Sequence, residues 1–293
     1  MYSDNDKRSV PGASQSGGEH AQPESIIAAM DRHKGPLLGT ALTIPSTVIA
    51  QIIGTIGYHF VLIDMEHSPL SPEITTQMVH AIVASSRGAS FPIIRVPSHG
   101  VEWIKWALDS GASGIIVPMV NNKKEVDRII DGAAYPPHGS RSFGPARASW
   151  GLPRGPQGGV REYFQRAKNG EVAIFPMIES KEGVANAEDI ISTTGVSGIF
   201  VGPMDLRLSL GLSGLDGSEP VFMEALEKIC TLGQKYGKFI GSLAMDPDMI
   251  RSRTQDGMKF LVVSSDASTL SAGLAVHLEQ ATQESPKTKR PSL

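Results

Sequence analysis

The sequence of 293 residues holds a single cysteine, Cys230. A lone thiol excludes an internal disulfide framework and any zinc or iron–sulfur centre built from cysteines. No charge of one sign dominates: 27 Lys and Arg stand against 30 Asp and Glu, a net charge of −3. That balance argues against a nucleic-acid or anionic-membrane surface as the main partner. No run approaches the ~18 apolar residues of a membrane span, and the opening MYSDNDKRSV lacks an apolar signal core. Neither G-x-G-x-x-G nor G-x-x-x-x-G-K-[ST] occurs, so the usual phosphate-cradling turns of nucleotide-binding sheets are missing. The expectation is a soluble, cytoplasmic globular protein, whose 40% hydrophobic residues suffice for one large core.

Residues 1–24 are rich in Ser, Gly and Pro and nearly devoid of large aliphatics, and residues 284–293 read the same way. Such segments cannot bury enough surface to offset their ordering entropy, which predicts disordered tails around one domain over 25–283. Within that domain, β-branched runs alternate with segments of helical period. The runs cover 37–44, 58–65, 90–97, 114–120, 172–179, 197–203, 238–245 and 259–265. Between them, Met78, Val79, Ile82 and Val83 fall on one helical stripe, as do Trp103, Ile104, Ala107 and Leu108. Pro72, Pro220 and Pro247 suit first helical turns, and Gly88, Gly111 and Gly237 suit helix ends. Eight strand–helix pairs over about 250 residues are the number and size of a (β/α)8 TIM barrel, an α/β fold. The stretch 211–217, GLSGLDG, reads as a flexible loop.

Barrel chemistry sits at the C-terminal strand ends. Strand two ends Asp64-Met65-Glu66-His67, strand three in Arg95, strand five in Glu179, and strand six runs into Gly202-Pro203-Met204-Asp205. Glu179 and Asp205 come from adjacent strands, so their carboxylates can converge. Two such groups suit a hard divalent cation, Mg²⁺ or Mn²⁺, and equally describe a pair of rim acids, one capping the next helix. Asp64 and Glu66, two apart on a strand, face the same side. An Asp64–His67 pair would fix the imidazole tautomer for general-base work; a hydrogen-bonded rim histidine is the other reading. Arg95 offers a fork to an oxyanion, or a salt bridge to an acid such as Glu66. Lys238 and Lys259 begin their strands, on the opposite rim, which disfavours imine chemistry.

These residues lie in words that occur in order across about 36–283. They are Leu62-Ile63-Asp64-Met65-Glu66-His67, Ile94-Arg95-Val96, Val117-Pro118-Met119-Val120, Tyr135-Pro136-Pro137-His138-Gly139-Ser140-Arg141, Ile178-Glu179-Ser180 and Val201-Gly202-Pro203-Met204-Asp205-Leu206. The set resembles the HpcH/HpaI aldolase family of metal-dependent class II pyruvate aldolases. The resemblance implies a carbon–carbon lyase working through a pyruvate enolate, with Glu179 and Asp205 as Mg²⁺ ligands. It further implies Arg95 as the enolate-stabilising group and Asp64 with His67 as acid/base. Similarity is greatest to members that decarboxylate oxaloacetate and join the enolate to a 2-pyrone; plain retro-aldol release of pyruvate from 4-hydroxy-2-oxo acids and a non-catalytic ligand-binding barrel are the alternatives. In such members the positions of Phe143, Pro145 and Tyr163 shape the second-substrate pocket, and Met177 and Met204 flank the metal ligands. Met177 replaces a glutamine usual in bacterial members, and Leu62 an indole. Homotrimers or homohexamers are implied as well.

Overall fold

The computed structural model describes residues 25–152 and 159–284. The tails expected at 1–24 and 284–293 lie outside the described residues, apart from Glu284, which closes the last helix. Eight parallel strands form a closed barrel in chain order. They are β1 (Leu37–Leu42), β2 (Phe60–Asp64), β3 (Phe91–Arg95), β4 (Gly114–Val117), β5 (Ala173–Ile178), β6 (Gly198–Val201), β7 (Phe239–Leu243) and β8 (Phe260–Ser265). All eight predicted runs are strands, but several stop one to three residues early. Proline explains two of these ends: Pro118 has no N–H to continue a ladder, and Pro203 opens the next helix.

Side-chain alternation divides each strand between two cores. Val61, Ile63, Ile174 and Ile178 face outward and pack under the helices. Phe60, Leu62, Phe175, Met177, Phe200 and Phe260 face inward and fill the barrel. Four phenylalanines meet at its centre, with the Phe260 ring 6.1 Å from Phe60, 4.7 Å from Phe175 and 5.9 Å from Phe200. Helix α1 (Ile26–Arg32), capped by the Ser25 hydroxyl, buries Ile26 and Met30 against the strand-start residues Leu37 and Phe91. It thereby stoppers the end of the barrel away from the chemistry.

The helices that follow the strands are α2 (Thr47–Ile56), α3 (Pro72–Ser85), α4 (Val101–Asp109) and α5 (Lys123–Ala133). After these come a 3₁₀ turn (Ala146–Gly151), α6 (Gly159–Lys168), α7 (Lys181–Ala185), α8 (Ala187–Ser192), α9 (Pro203–Ser209), α10 (Pro220–Tyr236), α11 (Pro247–Gln255) and α12 (Asp266–Glu284). Pro72, Pro220 and Pro247 stand in first turns as expected, and Gly237 ends α10 in the left-handed conformation. The seam between β8 and β1 is closed by Asp266. Its carboxylate accepts the backbone N–H of Thr43 and of Ile44 and the Thr43 hydroxyl, at 2.7–3.0 Å. Past Asp266, α12 is exposed throughout residues 267–283. It presents Leu270, Leu274, Val276 and Leu278 to the exterior, while α2 presents Val48, Ile52 and Ile56. No described helix is long and apolar enough to cross a membrane.

Gly39 and Gly241 flank the central rings: a Cβ at either would come within 2.5 Å of Phe60 or Phe260, respectively. Gly241→Ala is expected to overpack the barrel and cost about 1–3 kcal/mol. Denaturant unfolding would register this as a lower midpoint with an unchanged slope.

Candidate active site

Parity along the strands decides which side chains reach the mouth. Asp64 continues the inward series Phe60, Leu62; Arg95 continues Phe91, Ile93; Glu179 continues Phe175, Met177. All three therefore project into the barrel at its C-terminal end. Asp205 arrives differently, from the first turn of α9 rather than from a strand.

Arg95 and Asp64 form a fork-to-fork pair: Nε donates to Oδ1 at 2.8 Å and Nη2 to Oδ2 at 2.7 Å. Nη1 lies 3.2 Å from Glu66 Oε2. Burial opposes the charge on Asp64, but the hydrogen bonds and charge of Arg95 hold its carboxyl below the ordinary range. The Asp64–His67 side-chain pair expected from the sequence is not formed. Asp64 Oδ1 instead accepts the backbone N–H groups of Glu66 (3.1 Å) and His67 (3.5 Å), which shapes the turn after β2. The His67 side chain is 65% exposed, with Nε2 3.7 Å from Glu66 Oε2. Asp64 faces the guanidinium with both oxygens, and the His67 ring turns outward toward solvent.

Glu179 is 2% exposed. Its Oε1 accepts the N–H of Met119 at 2.6 Å. Met119 has φ of +51°, a conformation unusual for a side chain of its size, and it aims that N–H from the loop after β4. Gly202 makes room for the carboxylate: a Cβ there would overlap Glu179 Oε2 and the Met177 methyl. Burial raises the Glu179 pKa from 4.5 to about 7; the Met119 hydrogen bond opposes this, Glu66 and Asp205 add to it, and Arg95 opposes it. Burial likewise pushes Glu66 up, against the attraction of Arg95 and His67. Four carboxylates thus converge here, and among the described residues Arg95 is the guanidinium that three of them, Asp64, Glu66 and Glu179, face.

The donor chemistry fits a hard divalent cation. The two candidate ligands, Glu179 and Asp205, are oxygen donors, and a cation such as Mg²⁺ typically takes one or two carboxylates and keeps its other positions for water and substrate. Among the described residues no group of three or more His, Cys, Asp or Glu could enclose a metal by itself, consistent with such an open site and not with a closed structural one.

Over this cluster lies a cavity of about 550 Å³. Asp64, His67, Arg95, Asp205, Met177 and Met204 line it, as does Leu62, so most of the predicted residues share one chamber. Phe143, Pro145, Tyr163 and the buried Glu179 do not. Tyr163 is buried on the outer layer, its hydroxyl donating to Leu108 O at 2.8 Å and accepting from Arg141 at 3.2 Å. Phe143 is exposed beside the Phe164 ring, and Pro145 caps the 3₁₀ turn. Among its described residues, the long connection between β4 and β5 packs against the barrel's flank through Ala148, Leu152 and Tyr163. Three participants were missed: the Met119 N–H, Gly202 and the loop 211–219, whose Leu215 and Asp216 reach the cavity wall. A glycine–proline step before an acidic helix turn was the one available signal, at Gly202-Pro203.

Among the described residues no lysine lines the cavity. Barrel, acid cluster and guanidinium together make an enzyme site, and the chain's relatives are named as aldolases, enzymes of the carbon–carbon lyase class. The HpcH/HpaI aldolase/citrate lyase family model matches residues 42–272, and the chain belongs to that family. It is 33% identical over 238 residues to the hydroxypyruvate/pyruvate aldolase of Rhizorhabdus wittichii, covering 81% of this chain and 90% of that one. It is 35% identical over 246 residues to the 4-hydroxy-2-oxovalerate aldolase of Novosphingobium aromaticivorans, covering 82% and 88%. Among solved structures, macrophomate synthase superimposes with a TM-score of 0.77 at 31% identity, over 89% of this chain and 90% of that one.

Between about pH 4.5 and 7 the folded protein keeps a proton on Glu179 that the unfolded chain releases. The associated stabilisation is present at low pH and lost as pH rises through 7. In cation-free buffer Glu179→Gln is therefore expected to be more stable than the parent protein at pH 8, by at most on the order of 3 kcal/mol, and similar at pH 4. Thermal melts at the two pH values check this; added Mg²⁺ should raise the melting temperature of the parent protein and leave that of the variant unmoved.

Proposed function

We propose that the protein is a divalent-cation-dependent aldolase that makes or cleaves 4-hydroxy-2-oxo acids through the enolate of pyruvate. The observation that carries this reading is the uncompensated carboxylate cluster, Glu179 at its centre, facing one immobilised guanidinium. The names of the relatives at 33% and 35% identity point to the same substrate class.

A cation held by Glu179 and Asp205 would supply Lewis-acid polarisation of the substrate's keto oxygen. Arg95, pinned by Asp64 and Glu66, keeps its positive charge at the cavity wall, where oxygen of the 2-oxo acid turns negative as the enolate forms. Preorganised donors of this sort contribute ~10²–10³ in rate. His67, the exposed imidazole at the rim, carries the proton to and from the alcohol, and Glu66 lies within 4 Å of it. Asp64 acts through Arg95 and the turn, not on the proton.

Oxaloacetate is a second entry to the same enolate, because loss of CO₂ leaves the electron pair without need of a base. The 31% identity to macrophomate synthase and the carbon wall at Met177 favour including it. We further propose a homo-oligomer, trimer or hexamer, in which a second copy covers the apolar stripe of α12; Leu270, Leu274 and Leu278 recur four residues apart along it.

Purified protein should release pyruvate from 4-hydroxy-2-oxovalerate with Mg²⁺ and stop with EDTA. Arg95→Lys, which keeps the charge but loses the fork, should slow this about 10²-fold. His67→Asn should lower aldol cleavage relative to oxaloacetate decarboxylation by about 10²-fold, since only the former needs proton transfer. Absence of metal-dependent turnover of either acid would overturn the enolate reading. Light scattering should give a multiple of the 31.2 kDa chain mass, and Leu274→Asp a smaller particle.

A further inference from the structure

Two of the buried arginines outside the acid cluster, Arg207 and Arg253, grip the same loop. Arg207 on α9 is 2% exposed. Its Nη1 and Nη2 meet Glu219 at 2.6 and 2.8 Å, its Nε donates to Gly214 O at 3.2 Å, and Nη2 also donates to Ser213 O. Arg253 on α11 is 1% exposed and its Nη2 donates to Asp216 Oδ1. The ring of Phe222 on α10 lies between them, 5.0 Å from one guanidinium and 5.8 Å from the other. Buried cations are tolerated only when paired and hydrogen-bonded. Here both are, and the partners they use are mostly in 213–219. The stretch that reads as a flexible glycine loop is thus bolted to three helices.

The bolts hold Leu215 on the wall of the cavity although it is 66% exposed. Met245 and Met204 are the other exposed large apolar side chains at this mouth. The polar groups of the same half already hold bonds within the protein. One oxygen of Asp216 is taken by Arg253, and one oxygen of Asp246 caps α11 through the N–H groups of Asp248 and Met249. Ser264 bonds Thr40 and Tyr58, and Ser265 bonds Ser268. An incoming molecule with several hydroxyls would find few free partners there, and unpaired polar groups in such a site are selected against.

We propose that the loop 211–219, latched by Arg207 and Arg253, forms the acceptor wall of the site, and that Leu215 with Met245 selects a carbonyl acceptor bearing an apolar chain over a polyhydroxylated one. The inference rests on the aldolase reading above. In the addition, the methyl carbon of pyruvate gives up a proton and its electron pair forms a bond to the acceptor's carbonyl carbon. The carbonyl π pair moves onto oxygen, which takes up a proton to give the 4-hydroxy-2-oxo acid. No oxidant or reductant is consumed.

The test uses the full chain with Mg²⁺ and pyruvate, and compares kcat/KM for hexanal with that for glycolaldehyde. A preference of at least tenfold for hexanal is expected, falling about tenfold in Leu215→Ser, an exposed position where the fold should persist. Arg253→Met, which unlatches Asp216, should raise KM for hexanal more than it lowers kcat. Parity, a preference for glycolaldehyde, or a preference untouched by Leu215→Ser overturns the proposal. Exchange of the pyruvate methyl protons with D₂O, followed by NMR in the same samples, separates the two levels. Exchange without acceptor preference removes only the acceptor wall, whereas no exchange removes the enolate reading and the wall with it.

Discussion

The site is governed by an imbalance of charge: Asp64, Glu66, Glu179 and Asp205 converge where, among the described residues, Arg95 is the one nearby guanidinium. An interior carboxylate without a partner either keeps its proton or waits for a cation. Glu179 does the first, and its surroundings are arranged for the second. Gly202 clears space beside it, and Met119 accepts an unfavourable backbone angle to bind only one of its oxygens. The fold is stable enough elsewhere, in a doubly layered barrel with a phenylalanine centre, to tolerate this local discord.

Arg95 shows why position and role have to be read together. Its fork is satisfied by Asp64 on the neighbouring strand, in register with it. A mobile guanidinium would reorganise as charge develops on the substrate; one clamped in advance does not, and preorganisation is where electrostatic catalysis draws its advantage. Asp64 is thereby a positioning residue for a cation and not for an imidazole. His67 is left at the water-facing rim, suited to exchange protons with solvent.

Much of this was legible in the amino-acid sequence because barrel geometry converts order into place. Eight β-branched runs announce eight strands, and the period of two sends Asp64, Arg95 and Glu179 inward once the strands are known. What sequence could not convey depends on contacts remote along the chain. Whether Asp64 serves His67 or Arg95 is settled by a partner 31 residues away. Tyr163 looked like a pocket residue until its hydroxyl was found engaged by Leu108 and Arg141 on the barrel's flank. The glycines of 211–217 imply freedom locally, and Arg207 on α9 with Arg253 on α11 removes it.

The seam at Asp266 carries a consequence for how the protein is made. Its bonds to Thr43 and Ile44 span 223 and 222 residues of chain, and β8 itself pairs with β1. A ribosome releasing the chain from its N-terminus therefore exposes two unpaired sheet edges until nearly the last strand has emerged. A chain ending before residue 260 lacks β8 and leaves the edges of β1 and β7 unpaired, open to adhesion with other strands.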